Sequence, residues 1–365
     1  MLKPVPADRG SDTLHALFLG LLAAALLIVG IVVGSRGLKD FDPALVSYAG
    51  ASVFAAFGLG YRYSMWLRRP PTRLYWYRGW QIFLRPSQLP ANLVRFVKLL
   101  FSNIVLQRFI EKRSKMRWTA HWFLAWGCLL AAAVTFPLSF GWIRFETARD
   151  SQAIYNAFLF GIPVGSFHLG TVISVLAFNV LDIAAVMVLI GVFFALWRRG
   201  RDHGAMSVQQ FSNDMLPLLM LFAISVTGMF LTASTHLMHG LHYVFLSQLH
   251  VITVILTLLY LPFGKFFHIF QRPAQLGIGF YKEEGAKGDP AICSHCGTNF
   301  DTGLHVEDLK QVQAALNIRY QMADGSHYQD VCPQCRRKNV ALIQDGLWKA
   351  QGTQGTEPWQ NYPSM

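Results

Sequence analysis

Six apolar runs, each long enough to match the hydrocarbon core of a bilayer, constrain this chain more than any other feature. They cover residues 14–33, 45–65, 118–140, 171–197, 215–235 and 243–268. A helix needs about 20 consecutive apolar residues to cross a core of about 30 Å, where backbone polar groups must bond one another. With 53% hydrophobic and only 14% charged residues over 365 positions, the chain is too apolar for a soluble domain of that length. The expected fold class is an all-α integral membrane bundle of about six transmembrane helices with a small C-terminal metal ribbon. The first run lacks a strong basic n-region and a small-residue cleavage site before Arg36, so it is expected to remain as a span.

The net charge of +12 invites a nucleic-acid reading, and its distribution rejects it. Basic side chains from Arg68 to Arg117 crowd the segment 66–117 between the second and third runs. Arg198, Arg199 and Arg201 follow the fourth run, and Lys265 and Arg272 flank the end of the sixth. Segments 34–44 and 141–170 carry few. This is the positive-inside pattern, and it places both termini and the 66–117 loop in the cytoplasm. Within that loop, 93–110 is apolar but punctuated by Arg95, Lys98 and Arg108. Such a segment suits a helix lying in the interface plane or one covering a partner subunit. Pro70, Pro71, Pro86 and Pro90 predict loop before it.

The C-terminal segment 273–365 is polar and holds four of the five cysteines. Cys293 and Cys296 form one C-x-x-C pair and Cys332 and Cys335 another, with room between for a helix over 305–320. Two such pairs supply four thiolates to a tetrahedral ion, and Gly297 suits the tight knuckle turn. Zn²⁺ would make the tail a structural ribbon, and Fe would make it a rubredoxin-like redox site. Zinc leads, because Arg336 follows the second pair where a rubredoxin normally has glycine. Disulfides are disfavoured by a cytoplasmic location.

Histidines carry the remaining signal. His250 and His268 lie eighteen positions apart within the sixth run. On one continuous helix that is five turns and roughly 27 Å, so both rings would face one stripe, one near each membrane surface. An intramembrane imidazole is costly unless paired or ligated. His121 lies just inside the start of the third run, at the depth of His268. Two histidines at one depth on separate helices are what bis-imidazole ligation of a haem requires.

These residues resemble a known family. The stretch Leu249-His250-Val251 through Leu261-Pro262-Phe263-Gly264-Lys265-Phe266-Phe267-His268-Ile269-Phe270 looks like the last helix of the respiratory nitrate reductase gamma subunit. Heterodisulfide-reductase-type cytochromes b share that pattern. Tyr48-Ala49-Gly50 through Arg62-Tyr63, and Asp214 through Thr232, are similar to two further helices, so the resemblance covers about 45–272. It implies a dihaem cytochrome b in a bacterial or archaeal cytoplasmic membrane, and the departure at Ala131 leaves one haem b or two. Such a subunit oxidises quinol and passes electrons to cytoplasmic iron–sulfur and catalytic subunits. His121, His250 and His268 match its ligands. Its second third-helix histidine is Ala131 here, leaving His236, at the outer end of the fifth run, or His168 to partner His250.

The expected organisation is an extra first span in 1–40, a cytochrome b-type domain over 41–272 and a cytoplasmic four-cysteine tail over 273–365. Asp182, the acidic group deep in the fourth run, suits either a proton relay or a hydrogen-bonded partner of another span. Cys128 is expected to pack as a small apolar residue. Competing readings are a proton-coupled transporter and a structural anchor for a metal-binding module. The first lacks an inverted repeat, and the second has no need of the histidine spacing.

Overall fold

Leu, Ala, Val and Phe side chains leave the backbone of each apolar run nothing to bond but itself, and each run forms a helix. The computed structural model describes residues 9–149, 151–321 and 325–352. In it α1 covers Arg9–Gly34 and α2 Val46–Arg68. Shorter helices follow: α3 Pro70–Phe83, α4 Leu89–Leu100 and α5 Arg108–Glu111. Then come α6 Lys115–Ser139, α7 Val172–Arg201, α8 His203–Ser207, α9 Leu216–Leu237 and α10 Tyr243–Tyr260. The chain continues with α11 His268–Ala274, α12 Leu276–Gly285, α13 Gly303–Ala315 and α14 Pro333–Gly352. Six helical stretches are long and apolar enough to cross a membrane: Gly10–Gly34, Pro43–Arg68, Lys115–Ser139, Val172–Arg201, Phe211–Leu237 and Tyr243–Tyr260.

The fold is not purely helical. β1 Ile143–Ala148, β2 Ser151–Leu159 and β3 Ile162–His168 form an antiparallel sheet in the segment between the third and fourth runs. Leu159 pairs with Ile162, so Phe160 and Gly161 make a two-residue hairpin, both with positive φ as the tightest hairpin turns require. Phe145, Tyr155 and Phe167, one from each strand, pack their rings on Phe178 of α7. A smaller pair, β4 Pro290–Ile292 and β5 Asn299–Thr302, lies in the tail. Segment 70–83, expected as loop from its prolines, is the helix α3. Pro70 and Pro71 occupy its first turn, where a missing N–H costs nothing.

The described residues divide into two units. The first unit comprises Arg9–Leu67 and Leu93–Leu276, so α1 belongs with the other long helices. Its backbones approach closely at small residues. A Cβ at Gly127 of α6 would lie 2.9 Å from the Ala184 carbonyl, and one at Gly191 of α7 2.8 Å from the Ala120 carbonyl. Both contacts need glycine, the small-residue packing by which apolar helices associate without a hydrophobic driving force between them. Ile31, Tyr48, Ala51, Phe140 and Leu258 gather α1, α2, α6 and α10, and Cys128 packs beside Val188, Val192 and Leu218 as a small apolar residue.

The second unit joins Arg68–Asn92 to the residues from Gly277 onward. Part of the basic loop thus folds with the cysteine tail. Asp308 of α13, only 1% exposed, explains why: Arg78 of α3 donates to it at 3.1 Å and the Tyr281 hydroxyl at 2.8 Å. Tyr75 packs edge-on against Tyr281, Phe83 against Phe280, and Arg85 pairs with Glu284. Asn92 closes α3 by donating to the carbonyls of Ile82 and Phe83 at 3.0 and 3.1 Å.

Candidate functional site

In the second unit the four tail cysteines converge. Their sulfurs all lie within 4.8 Å of one another, with Cys296 and Cys332 at 3.7 Å, and all four are free thiols. Four ligand bonds of about 2.3 Å to a tetrahedral ion put sulfurs roughly 3.8 Å apart. The first knuckle is built by Gly297 at φ +69, whose N–H donates to the Cys293 carbonyl at 2.9 Å. The second opens α14. There the amide of Cys332 donates to the Cys293 sulfur at 3.2 Å and that of Cys335 to the Cys332 sulfur at 3.4 Å. Burial pushes the Cys293 thiol up, but backbone N–H groups of Cys332, Cys296 and His295 outweigh it and bring it down to about 6. Cys335, hydrogen-bonded to Cys332 and Cys296, is pushed up to about 12. Thiolate character is thus favoured at Cys293 and disfavoured at Cys335 before any cation arrives, and the four-sulfur donor set fits one ion such as Zn or Fe. The expected helix between the knuckles is α13, which ends at Ala315.

In the first unit the structure brings His121 and His268 together. Their ring centres are 6.1 Å apart with planes at 62°. Two imidazoles on opposite sides of one metal ion, each bonded at about 2 Å, would place ring centres roughly 6 Å apart. His268 Nδ1 lies 2.5 Å from the Lys265 carbonyl. A carbonyl only accepts, so Nδ1 carries the hydrogen and Nε2 the lone pair. His121 Nδ1 lies 2.7 Å from Oε1 of Gln107, which fixes the same tautomer. Ligating histidines characteristically hold the second nitrogen this way.

His268 reaches this position because α10 stops. Pro262 has no N–H to give to the preceding turn, and Gly264 is extended at ψ −164, so the helix is broken before α11 begins. Arg62 of α2 holds the broken segment: its guanidinium donates to the Pro262 carbonyl and lies 4.3 Å from the Phe267 ring centre. The five-turn phase between His250 and His268 therefore does not exist, since the two residues are on different helices. His250 sits seven residues after Tyr243 and ten before Tyr260, near the middle of α10 rather than at its outer end.

His250 faces α9. Thr227 donates to the Ala223 carbonyl at 2.7 Å and accepts from His250 Nδ1 at 2.9 Å. Gly228 makes room for the ring, since a Cβ there would sit 3.3 Å from Cε1. His236 is not brought to it. It is exposed in the last turn of α9, nine residues beyond Thr227 and hence about 13 Å along the axis. His168, exposed at the end of β3, is not paired with it either. Asp182 accepts from Thr232 at 2.8 Å, the hydrogen-bonded partner between α7 and α9.

Sequence reasoning missed Gln107, Thr227 and the Lys265 carbonyl. Thr227, polar within an apolar run, was the one legible signal among them. Gln107 belongs to a separate segment, and a backbone carbonyl has no signature. No family model, curated protein or solved structure matches this chain.

Proposed function

We propose that this chain is the haem b membrane subunit of a respiratory oxidoreductase. It exchanges electrons between the quinone pool and cytoplasmic iron–sulfur and catalytic subunits, most simply as a quinol dehydrogenase in a bacterial or archaeal cytoplasmic membrane. The His121–His268 pair carries the reading: two imidazoles at ligating separation, each held at Nδ1 by an acceptor that keeps Nε2 for a metal. When bound there, haem would supply one-electron storage. A cavity of about 300 Å³ opens beside His268, with Arg62 and Lys265 in its wall as cations for carboxylate side chains. The fit supports one haem. Among the described residues no imidazole faces His250, and its hydrogen bond to Thr227 suits it to receive a proton from quinol bound in that half of the bundle.

The charge pattern supports cytoplasmic termini, and the tail is read as a Zn²⁺ ribbon on that side. The test is a visible spectrum and pyridine haemochrome assay of the purified full-length protein. One b-type haem per chain is expected, lost in His121→Ala and in His268→Ala while membrane insertion persists. Absence of a reduced b-type α-band from the wild type, or full haem in both variants, overturns the reading.

A further inference from the structure

The basic ends of α6 and α7 enclose a second cavity, distinct from the one beside His268. It measures about 270 Å³ and is lined by Arg117, Arg198, Arg199, Val208, Gln209 and Asp214. Arg117 comes from the first turn of α6, and Arg198 and Arg199 from the last turns of α7. Neighbouring acids only partly neutralise them. Arg199 donates to the Asp214 carbonyl at 2.6 Å, with the Asp214 carboxylate at 3.6 Å. That carboxylate is also taken by Lys265 at 2.7 Å. Arg198 has Asp202 at 3.9 Å. Three guanidiniums thus face one carboxylate in the lining of the hollow, and their planar forks match oxyanions bidentately.

We infer that this cavity binds a phosphate group, with Arg117 and Arg198 as its main ligands and Arg199 held in place by Asp214. Phosphate carries the charge the cavity lacks and offers several oxygens to converging forks. The source favoured by the surroundings is an anionic phospholipid headgroup. The cavity lies where two long apolar helices end. Phe193 and Trp197 are exposed one turn apart on α7, and Leu219 and Phe222 on α9, as surface for acyl chains. Basic pockets between helices at the cytoplasmic surface recognise anionic lipid in this way. The inference needs the long helices to lie in a bilayer but does not need a haem, so the two can fail separately.

The test uses the full-length protein in phosphatidylcholine nanodiscs, with and without phosphatidylglycerol, and native mass spectrometry to count retained lipid. Wild type is expected to keep one phosphatidylglycerol in preference to phosphatidylcholine. The double variant Arg117→Gln with Arg198→Gln should lose that preference about thirtyfold, taking about 1 kcal/mol per arginine near a headgroup and 1.4 kcal/mol per decade. Arg117→Lys with Arg198→Lys keeps the charge without the fork and should fall between them. A parallel arm measures inorganic phosphate binding in pure phosphatidylcholine. Saturable binding there, lost in the glutamine variant, supports the site with a soluble phosphate as its source. Equal lipid retention by wild type and glutamine variant, or a wild type that binds neither probe, overturns the inference. If the glutamine variant does not fold, the wild-type and lysine measurements decide.

Discussion

The sharpest prediction concerns Gln107, a residue with no contact to any proposed electron carrier. It is 6% exposed, and its Oε1 accepts from His121 Nδ1 at 2.7 Å. Gln107→Leu keeps the volume and deletes the acceptor. The buried Nδ1–H of His121 then has no partner, at about 1–3 kcal/mol. An independent route gives the same size: losing the group that orients a ligating histidine costs about 10–100-fold in affinity, or about 1.4–2.7 kcal/mol. Haem transfer from the purified protein to an apo-globin acceptor should accelerate by that factor in Gln107→Leu, while one haem per chain still binds at saturation. Gln107 also sits at φ +53, a left-handed conformation unfavourable for side chains other than glycine. Gln107→Gly relieves that strain yet removes the same acceptor, so it should lose haem as fast as the leucine variant. Transfer within threefold of wild type in Gln107→Leu, or a glycine variant that retains haem normally, would refute the assignment of Gln107 as the group positioning His121.

The other predictions test other parts of the molecule. His250→Ala should slow quinol-dependent haem reduction in proteoliposomes without lowering haem content, and an unchanged rate removes His250 from quinol oxidation. Elemental analysis of the full chain should find one zinc, absent from Cys293→Ser with Cys332→Ser, whereas iron with a rubredoxin-like spectrum would make the tail an electron carrier. Asp308→Ala strands Arg78 and the Tyr281 hydroxyl in a largely buried site, at about 3–5 kcal/mol. Limited proteolysis should then cut between residues 277 and 352 at rates far above wild type. The Arg36 hydrogen bond holds the Asp40 carboxyl below its usual range against the opposing effect of burial, with Arg144 assisting. A lowered folded-state value means that the contact stabilises above the ordinary carboxylate value of about 3.9 and is lost as pH falls through the lowered one. Amide protection around residues 36–41 should therefore hold from pH 7 to 5 and collapse only in strong acid, and Asp40→Asn should show the collapsed pattern at pH 7.

What the sequence determined by itself was set by local, periodic physics. Six apolar runs became six helices with ends within a few residues of expectation, except where the sixth broke, because a long apolar stretch has no other way to satisfy its backbone. Paired C-x-x-C spacing was enough to predict one four-sulfur cluster, since each knuckle is a local turn. Non-local matters were decided by tertiary structure. Pro262 and Gly264 were visible, but only packing, with Arg62 bonded to the Pro262 carbonyl, turned them into the break that puts His268 on α11 rather than α10. The proline-rich stretch became α3 because Asp308 and Tyr281, more than 200 residues on, give Arg78 and Tyr75 partners. The segment after Ser139 formed strands because one aromatic from each, Phe145, Tyr155 and Phe167, found Phe178 to pack on. Gln107 reaches His121 only once α5 and the start of α6 between them have folded, and a single hydrogen bond between residues fourteen apart leaves no periodic trace in a sequence.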